Sequence, residues 1–171
     1  MATGLENKLT GQIGECLACV ELGRRGLIAT SFTGNVPEYD LLICNTDLKT
    51  LPIQVKTTRS NTWPGNARKW LSIDIDHEEK QQINNGPKEI EFPDLIYISI
   101  SLRKDLCSDR FFICTKKQIQ EAFIQSYVSW MEPKDWKRPK NYESLDNRCD
   151  IKYLEKYENN WQLIFDRLQE S

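Results

Sequence analysis

The sequence predicts an α/β or α+β layer fold with a mixed central β-sheet flanked by helices. Three observations predict it. The first 25 residues carry apolar side chains at steps of three and four, a helical period. Four later stretches, IATSF, YDLLIC, LPIQVKT and LIYISIS, are short, apolar and bounded by turn residues, as strands are. Helical periodicity then returns in the last third. One helix, several strands and then helices is the element order of a layered fold.

From about Leu5 to Arg25, the residues Leu5, Leu9, Ile13, Cys16, Leu17 and Val20 give one apolar face. Gly26 ends the helix. Leu27 to Phe32 is a short strand and Thr33 to Pro37 a turn. Tyr39 to Cys44 and Leu51 to Thr57 form a hairpin across Asn45–Lys49. Thr58 to Lys69 reads as a polar loop, Trp70 to Asp76 as an edge strand, and Leu95 to Ser101 as a stronger strand paired with Arg110 to Cys114. Thr115 and Gln118 make a capping box ahead of a helix with Ile119, Phe123, Tyr127 and Trp130 on one face. Residues 132 to 147 read as irregular. A last helix is expected from about Asp150, with Ile151, Leu154, Tyr157, Trp161, Ile164 and Leu168 as its seam. The expected layout is one domain over residues 1–171, with a core of about 5–131 and a C-terminal helical extension of about 132–171.

At 171 residues, 39% apolar and 28% charged, the chain has the composition of a globular domain. No apolar run would span a membrane, and the N-terminus lacks a signal layout, so a cytoplasmic protein is expected. A net charge of −2 excludes a strongly basic nucleic-acid coat but not a local basic groove. Of the six cysteines, Cys16 and Cys19 make one C-x-x-C with no second pair at zinc spacing, so small core residues are the expectation.

The hairpin carries polar groups that an apolar hairpin does not need. On its second strand Gln54, Lys56 and Thr58 share one face, and Ile53, Val55 and Thr57 the other. Asp40 opens the first strand and can meet Gln54 and Lys56. A carboxylate and an amide oxygen are hard ligands suited to Mg²⁺ or Mn²⁺. A lysine beside them can orient a water or balance charge on a phosphate.

Asp40, a thirteen-residue gap and then Gln54-Val55-Lys56 resemble the motif of the PD-(D/E)xK nuclease superfamily, whose members include restriction enzymes, junction resolvases and some homing endonucleases. The motif covers roughly residues 9 to 58, and the element order extends the likeness to about residue 125. The resemblance implies a restriction endonuclease-like core ordered helix–strand–strand–strand–helix–strand. It also implies metal-dependent hydrolysis of a DNA phosphodiester. Glu15, in Gly11-Gln12-Ile13-Gly14-Glu15, matches the further glutamate that such proteins often draw from the first helix. The implied site holds one Mg²⁺ on Asp40, Gln54, Glu15 and the Val55 carbonyl, with Lys56 assisting the water or the phosphate. Tyr39 stands where the motif has proline. Gln54 stands where Asp or Glu is usual, as in a subset of the superfamily.

Thr58, Arg59, Arg68 and Lys69, just beyond Lys56, are the expected DNA contacts. The second basic loop, from Lys134 to Lys140, reads first as ordinary solubility. Asp74, Asp76 and Glu78 beside His77 make a competing acidic cluster where a metal could bind, but an exposed edge strand explains it more simply. Asp94 in FPDLIY offers a literal Pro-Asp, but no Asp/Glu/Gln-x-Lys follows at the required spacing, so it reads as the start of a strand. A domain this small that cuts both strands is expected to form a homodimer or higher homo-oligomer. The alternatives are a catalytically inactive nucleic-acid-binding relative and a protein-interaction module built on the Trp-rich C-terminal helices.

Overall fold

A computed structural model describes residues 4–32, 36–105 and 108–170. Most of the turn expected at Thr33–Pro37, and Cys107, lie outside the described residues. The chain is mixed α/β, and it forms two compact units. The first comprises Met1–Asn61, Asp94–Lys116 and Tyr157–Ser171; the second comprises Thr62–Pro93 and Lys117–Lys156.

The first unit is built on a five-stranded sheet, whose strands are named next in their order across it. Its strands are β1 (Ile28–Ser31), β2 (Leu41–Cys44), β3 (Thr50–Thr58), β7 (Ile96–Ser101) and β8 (Arg110–Thr115). β1, β2 and β3 form an antiparallel meander, β3 runs parallel to β7, and β7 is antiparallel to β8. The sheet is therefore mixed, as the strand patterns predict. The β2–β3 turn is closed by the Asn45 side chain, whose Oδ1 accepts from Asp47 N (3.1 Å) and Lys49 N (2.9 Å). Every residue of β7 is buried, as expected of a strand covered on both faces.

Helix α1 (Gly4–Arg24) precedes the sheet. Gly26, at φ 81°, ends it: Leu27 N donates to Leu22 O (3.1 Å) and Gly26 N to Gly23 O (3.0 Å), the paired bonds of a Schellman motif. The buried face is not the one the sequence suggests. Thr10, Gly14, Ala18 and Leu22 are buried, whereas Leu5, Leu9, Ile13 and Val20 stay 68%, 45%, 38% and 55% exposed. Small residues let the helix axis come close to the sheet. A Cβ built on Gly14 would fall 1.7 Å from Thr57 Oγ1 on β3. Ala18 and Leu22 join Leu41, Ile43, Ile53, Val55, Ile96, Ile98, Ile100 and Ile113 in the core. Trp161, with Ile164 and Leu168 of α3 (Gln162–Glu170), completes it.

The second unit holds two strand pairs: β4 (Thr62–Asn66) with β9 (Asp146–Asp150), and β5 (Leu71–Asp76) with β6 (Gln81–Pro87). Helix α2 (Lys116–Met131) follows β8, and its Tyr127 and Met131 pack with Ala67, Leu71 and Ile73. Buried amides tie this unit together. Gln82 Nε2 donates to the Tyr142 and Ser144 carbonyls (2.7 and 2.9 Å), and its Oε1 accepts from Tyr127 Oη (2.5 Å). Gln120 Nε2 reaches the Trp70 and Lys88 carbonyls (3.1 and 2.7 Å).

Four expectations are corrected here. The polar loop expected at Thr58–Lys69 contains β4, and the irregular stretch before Asp150 contains the start of β9. The crossover between parallel strands β3 and β7 carries strands and a short 3₁₀ turn rather than the helix that the nuclease core implies. The last helix begins only at Gln162; Ile151–Tyr153 and Glu155–Tyr157 are separate 3₁₀ turns. Ile151 and Tyr157 of these turns, and Leu154 between them, are buried all the same.

Candidate active site

The register Leu41↔Ile53 places Asp40, one step before β2, opposite Gln54 of β3. Asp40 N donates to Ile53 O (2.9 Å), which holds its backbone to the strand. Its Oδ2 accepts from Val55 N (2.8 Å) and from Gln54 Nε2. The same Nε2 lies 3.4 Å from the Val55 carbonyl oxygen. A carboxylate oxygen and a backbone oxygen thus converge on one donor. Gln54 is buried and Lys56, two residues on, is exposed.

Glu15 reaches this group from α1. Its carboxyl is raised above the ordinary 4.5, first by burial and then by the negative charge of Asp40, with the Lys56 ammonium pulling the other way. The structure therefore brings together Glu15, Asp40, Gln54, Val55 and Lys56. It brings in Tyr97 as well, which pairs with Gln54 across β3 and β7. Burial pushes the Tyr97 phenol up to about 12, helped by the charges of Glu38, Asp40 and Cys114. Glu38 is paired with the buried Lys116 (2.8 Å).

Sequence reasoning missed Tyr97, Glu38 and Lys116. The signal for Tyr97 was present: in LIYISIS the isoleucines alternate with Tyr97, Ser99 and Ser101, which register against Gln54, Lys56 and Thr58. No local pattern marks Glu38 or Lys116.

The raised Glu15 carboxyl has a consequence for stability. A folded-state value above the unfolded one stabilises the fold below pH 4.5, and that contribution is lost as pH rises through the raised value. Glu15→Gln removes the charge that causes the loss. Without divalent ions, the variant is expected to melt above wild type at neutral pH and to lose that advantage in acid. Thermal unfolding followed by circular dichroism across that range checks this.

The expected DNA contacts fall in different places. Thr58 is buried, its Oγ1 3.0 Å from Ser60 Oγ. Arg59 is exposed and its Nε donates to Thr10 Oγ1 on α1 (2.9 Å). Arg68 and Lys69 belong to the second unit; Arg68 donates to Ile73 O (3.1 Å) and Lys69 lies over the Trp70 ring (4.9 Å).

The competing carboxylates are held by local contacts. Asp74 accepts from Asn85 (2.8 Å), Asp76 from the Glu78 and Glu79 amides (2.9 and 3.0 Å), and Asp94 pairs with Arg167 (2.7 Å). In the second basic loop Lys134 donates to Trp130 O (2.6 Å), and Arg138 to the Ser144 and Asp146 carbonyls (both 2.8 Å). A cavity of about 580 Å³ in the second unit is lined by Arg138, Arg148, Lys152, Asp146 and Asp150 among others. Its mixed charges do not make a basic groove.

Among the described residues no three His, Cys, Asp or Glu side chains cluster as metal ligands. An ion at the β2–β3 site would have to draw on amide and backbone oxygens beside its two carboxylates. No described helix is long and apolar enough to cross a membrane.

Fold and site together define a mixed α/β protein with carboxylate, amide and ammonium groups gathered on its central hairpin. No protein-family model and no curated protein matches the sequence. Among solved structures, the chain is similar to a bacterial homing endonuclease, I-Ssp6803I. The identity is 14% and the TM-score 0.46, with 99% of this chain and 96% of that chain covered.

Proposed function

We propose that this protein is a metal-dependent DNA endonuclease of the PD-(D/E)xK type. The observation that supports this reading most is the meeting of Asp40, the Gln54 amide and the Val55 carbonyl on adjoining strands, with Glu15 near enough to feel the charges of both Asp40 and Lys56.

The donor set fits a hard divalent cation. Asp40 Oδ2 and the Val55 carbonyl oxygen already converge on Gln54 Nε2. The Asp40 carboxylate, the Gln54 amide oxygen and the Val55 carbonyl would be the groups that hold the cation. Glu15 adds a second carboxylate, held above its ordinary value by burial and by the charge of Asp40, both of which a bound cation would offset. Mg²⁺, or Mn²⁺ in its place, supplies Lewis acidity and lowers the pKa of a bound water. Lys56 orients the attacking water or balances charge building on the scissile phosphate. Thr58, Arg59, Arg68 and Lys69 are the DNA contacts in this reading, and a homo-oligomer lets so small a protein cut both strands.

Gln54→Glu separates these roles. It sets two carboxylates against each other where the Gln54 amide now donates to Asp40, so the variant is expected to melt below wild type without divalent ions. Added Mg²⁺ should then raise its melting temperature more than it raises that of wild type.

The direct test is cleavage of supercoiled plasmid and of a branched DNA junction with Mg²⁺ or Mn²⁺. Metal-dependent cutting of either supports the enzyme, and the faster substrate tells junction resolution from duplex cleavage. The Gln54–Asp40 hydrogen bond also suits an inactive relative whose polar site is merely structural. Binding of both DNAs with cutting of neither, with either ion, sinks the enzyme reading in favour of that one.

A further inference from the structure

Tyr97 stands at the site, and the proposed chemistry does not use it. The strand registers set Asp40, Gln54, Tyr97 and Cys114 in one row across the sheet, from the head of β2 through β3 and β7 to β8. Side chains in one row share a face, and neighbouring strands lie about 4.8 Å apart. Tyr97 is therefore one strand from Gln54 and two from Asp40. Its phenol feels the charges of Glu38 and Asp40, which places it within their reach.

One property of Tyr97 is out of place in a purely structural residue. The residue is 3% exposed, yet its hydroxyl makes no hydrogen bond among the described residues. A buried phenol usually has a partner. Tyr127, 1% exposed, has one: its Oη donates to Gln82 Oε1 (2.5 Å). The Tyr97 hydroxyl is also not sealed from solvent, although the ring that carries it is buried. The fold thus holds a rigid O–H donor beside the Asp40 and Gln54 side chains and gives it no bond to make.

We infer that Tyr97 is a catalytic residue of the phosphodiester cleavage, donating a hydrogen bond from its hydroxyl to a non-bridging oxygen of the scissile phosphate. The inference rests on the nuclease reading. As the oxygen of water bonds to phosphorus and the sugar oxygen departs, charge gathers on the non-bridging oxygens, and a fixed neutral donor stabilises it there. Tyr97 gives and takes no atom in this step. The phenol keeps its proton, which burial first and then the charges of Glu38, Asp40 and Cys114 hold more firmly than water does. Lys56 balances charge on the same phosphate, and Tyr97 adds a directed bond without adding charge.

Tyr97→Phe removes the hydroxyl oxygen and leaves the ring in place. Full-length variant and wild type are compared in single-turnover cleavage of plasmid or junction, whichever wild type cuts faster, at saturating Mg²⁺. The variant's rate should fall about 10²-fold. Its dissociation constant for the same DNA without divalent ions should stay within about twofold, because the bond strengthens only as charge develops. Its melting temperature should equal or exceed that of wild type, because no bond within the protein is lost. Cleavage by Tyr97→Phe at the wild-type rate overturns the inference and leaves the nuclease reading standing. A melting temperature well below wild type overturns it too, by giving the hydroxyl a role in the fold. A loss of DNA affinity as large as the loss of rate makes Tyr97 a binding contact and overturns the catalytic role. A wild type that cuts neither DNA fails the nuclease reading itself, and the role of Tyr97 with it.

Discussion

Asp40→Asn and Lys56→Ala are each expected to lower Mg²⁺-dependent DNA cleavage by at least about 10²-fold, the usual cost of losing one preorganised electrostatic contact. Asparagine is the better probe at position 40. Asp40 Oδ2 accepts from Val55 N (2.8 Å), and alanine would strand that buried amide at about 1–3 kcal/mol. Asparagine keeps an acceptor and removes the charge, so its effect reports on chemistry rather than folding. Binding separates the two residues further. Without divalent ions, Asp40→Asn should bind DNA at least as well as wild type, because a carboxylate no longer repels phosphate. Lys56→Ala should bind more weakly, with the salt dependence reduced by about one charge. Plasmid cleavage and fluorescence anisotropy at several salt concentrations check both. Cleavage at wild-type rates in either variant, with the fold intact, would exclude that residue from the chemistry.

The second large effect concerns Gly14→Val. A Cβ at this position would lie 1.7 Å from Thr57 Oγ1, 2.8 Å from Thr57 Cβ and 2.9 Å from Thr57 Cγ2. Thr57 Cβ is fixed to the backbone of β3, so rotation of the side chain cannot relieve the clash. The helix must move outward. Overpacking of this kind costs about 1–3 kcal/mol, and valine's branches press it to the upper end. For a chain of this size that is a fall in Tm of roughly 10 °C. Activity should fall further than stability does, because Glu15 is the next residue and moves with the helix away from Asp40. Scanning calorimetry and plasmid cleavage on the same preparation check this. Thr57→Ala added to Gly14→Ala removes two of the three close contacts and should recover much of the stability lost by Gly14→Ala alone. A melting temperature unchanged in Gly14→Val would mean that α1 does not sit against β3 as described.

Much of the first unit was legible in the sequence. α1, its stop at Gly26, and the β2–β3 hairpin all follow from local rules. A 3.6-residue period, a left-handed glycine and two alternating runs around a polar turn do not depend on distant contacts. The site was legible for the same reason. Two-residue alternation puts Gln54 and Lys56 on one face, and the antiparallel register then brings Asp40 to them. The second unit was harder. β4, β6 and β9 read TWPGN, QQINNGP and DNRCD, with proline, glycine and amides where a strand pattern needs alternating apolar residues. They are strands because a partner strand supplies their hydrogen bonds. Gln82, within β6, and Gln120, on α2, add side-chain bonds to loop carbonyls.

The sequence by itself determined α1 and the strands of the first unit, though not where its last helix begins, and which polar side chains share the hairpin face. Both are questions of spacing along the chain. Only the tertiary structure decided which side of α1 the sheet would take. Apolar periodicity locates Leu5, Leu9, Ile13 and Val20 but cannot say what covers them. The sheet took the Thr10, Gly14 and Ala18 side instead, because small residues allow the closest approach of helix to strand and so the densest packing. That choice turned Glu15 toward Asp40 and left the large apolar stripe outward.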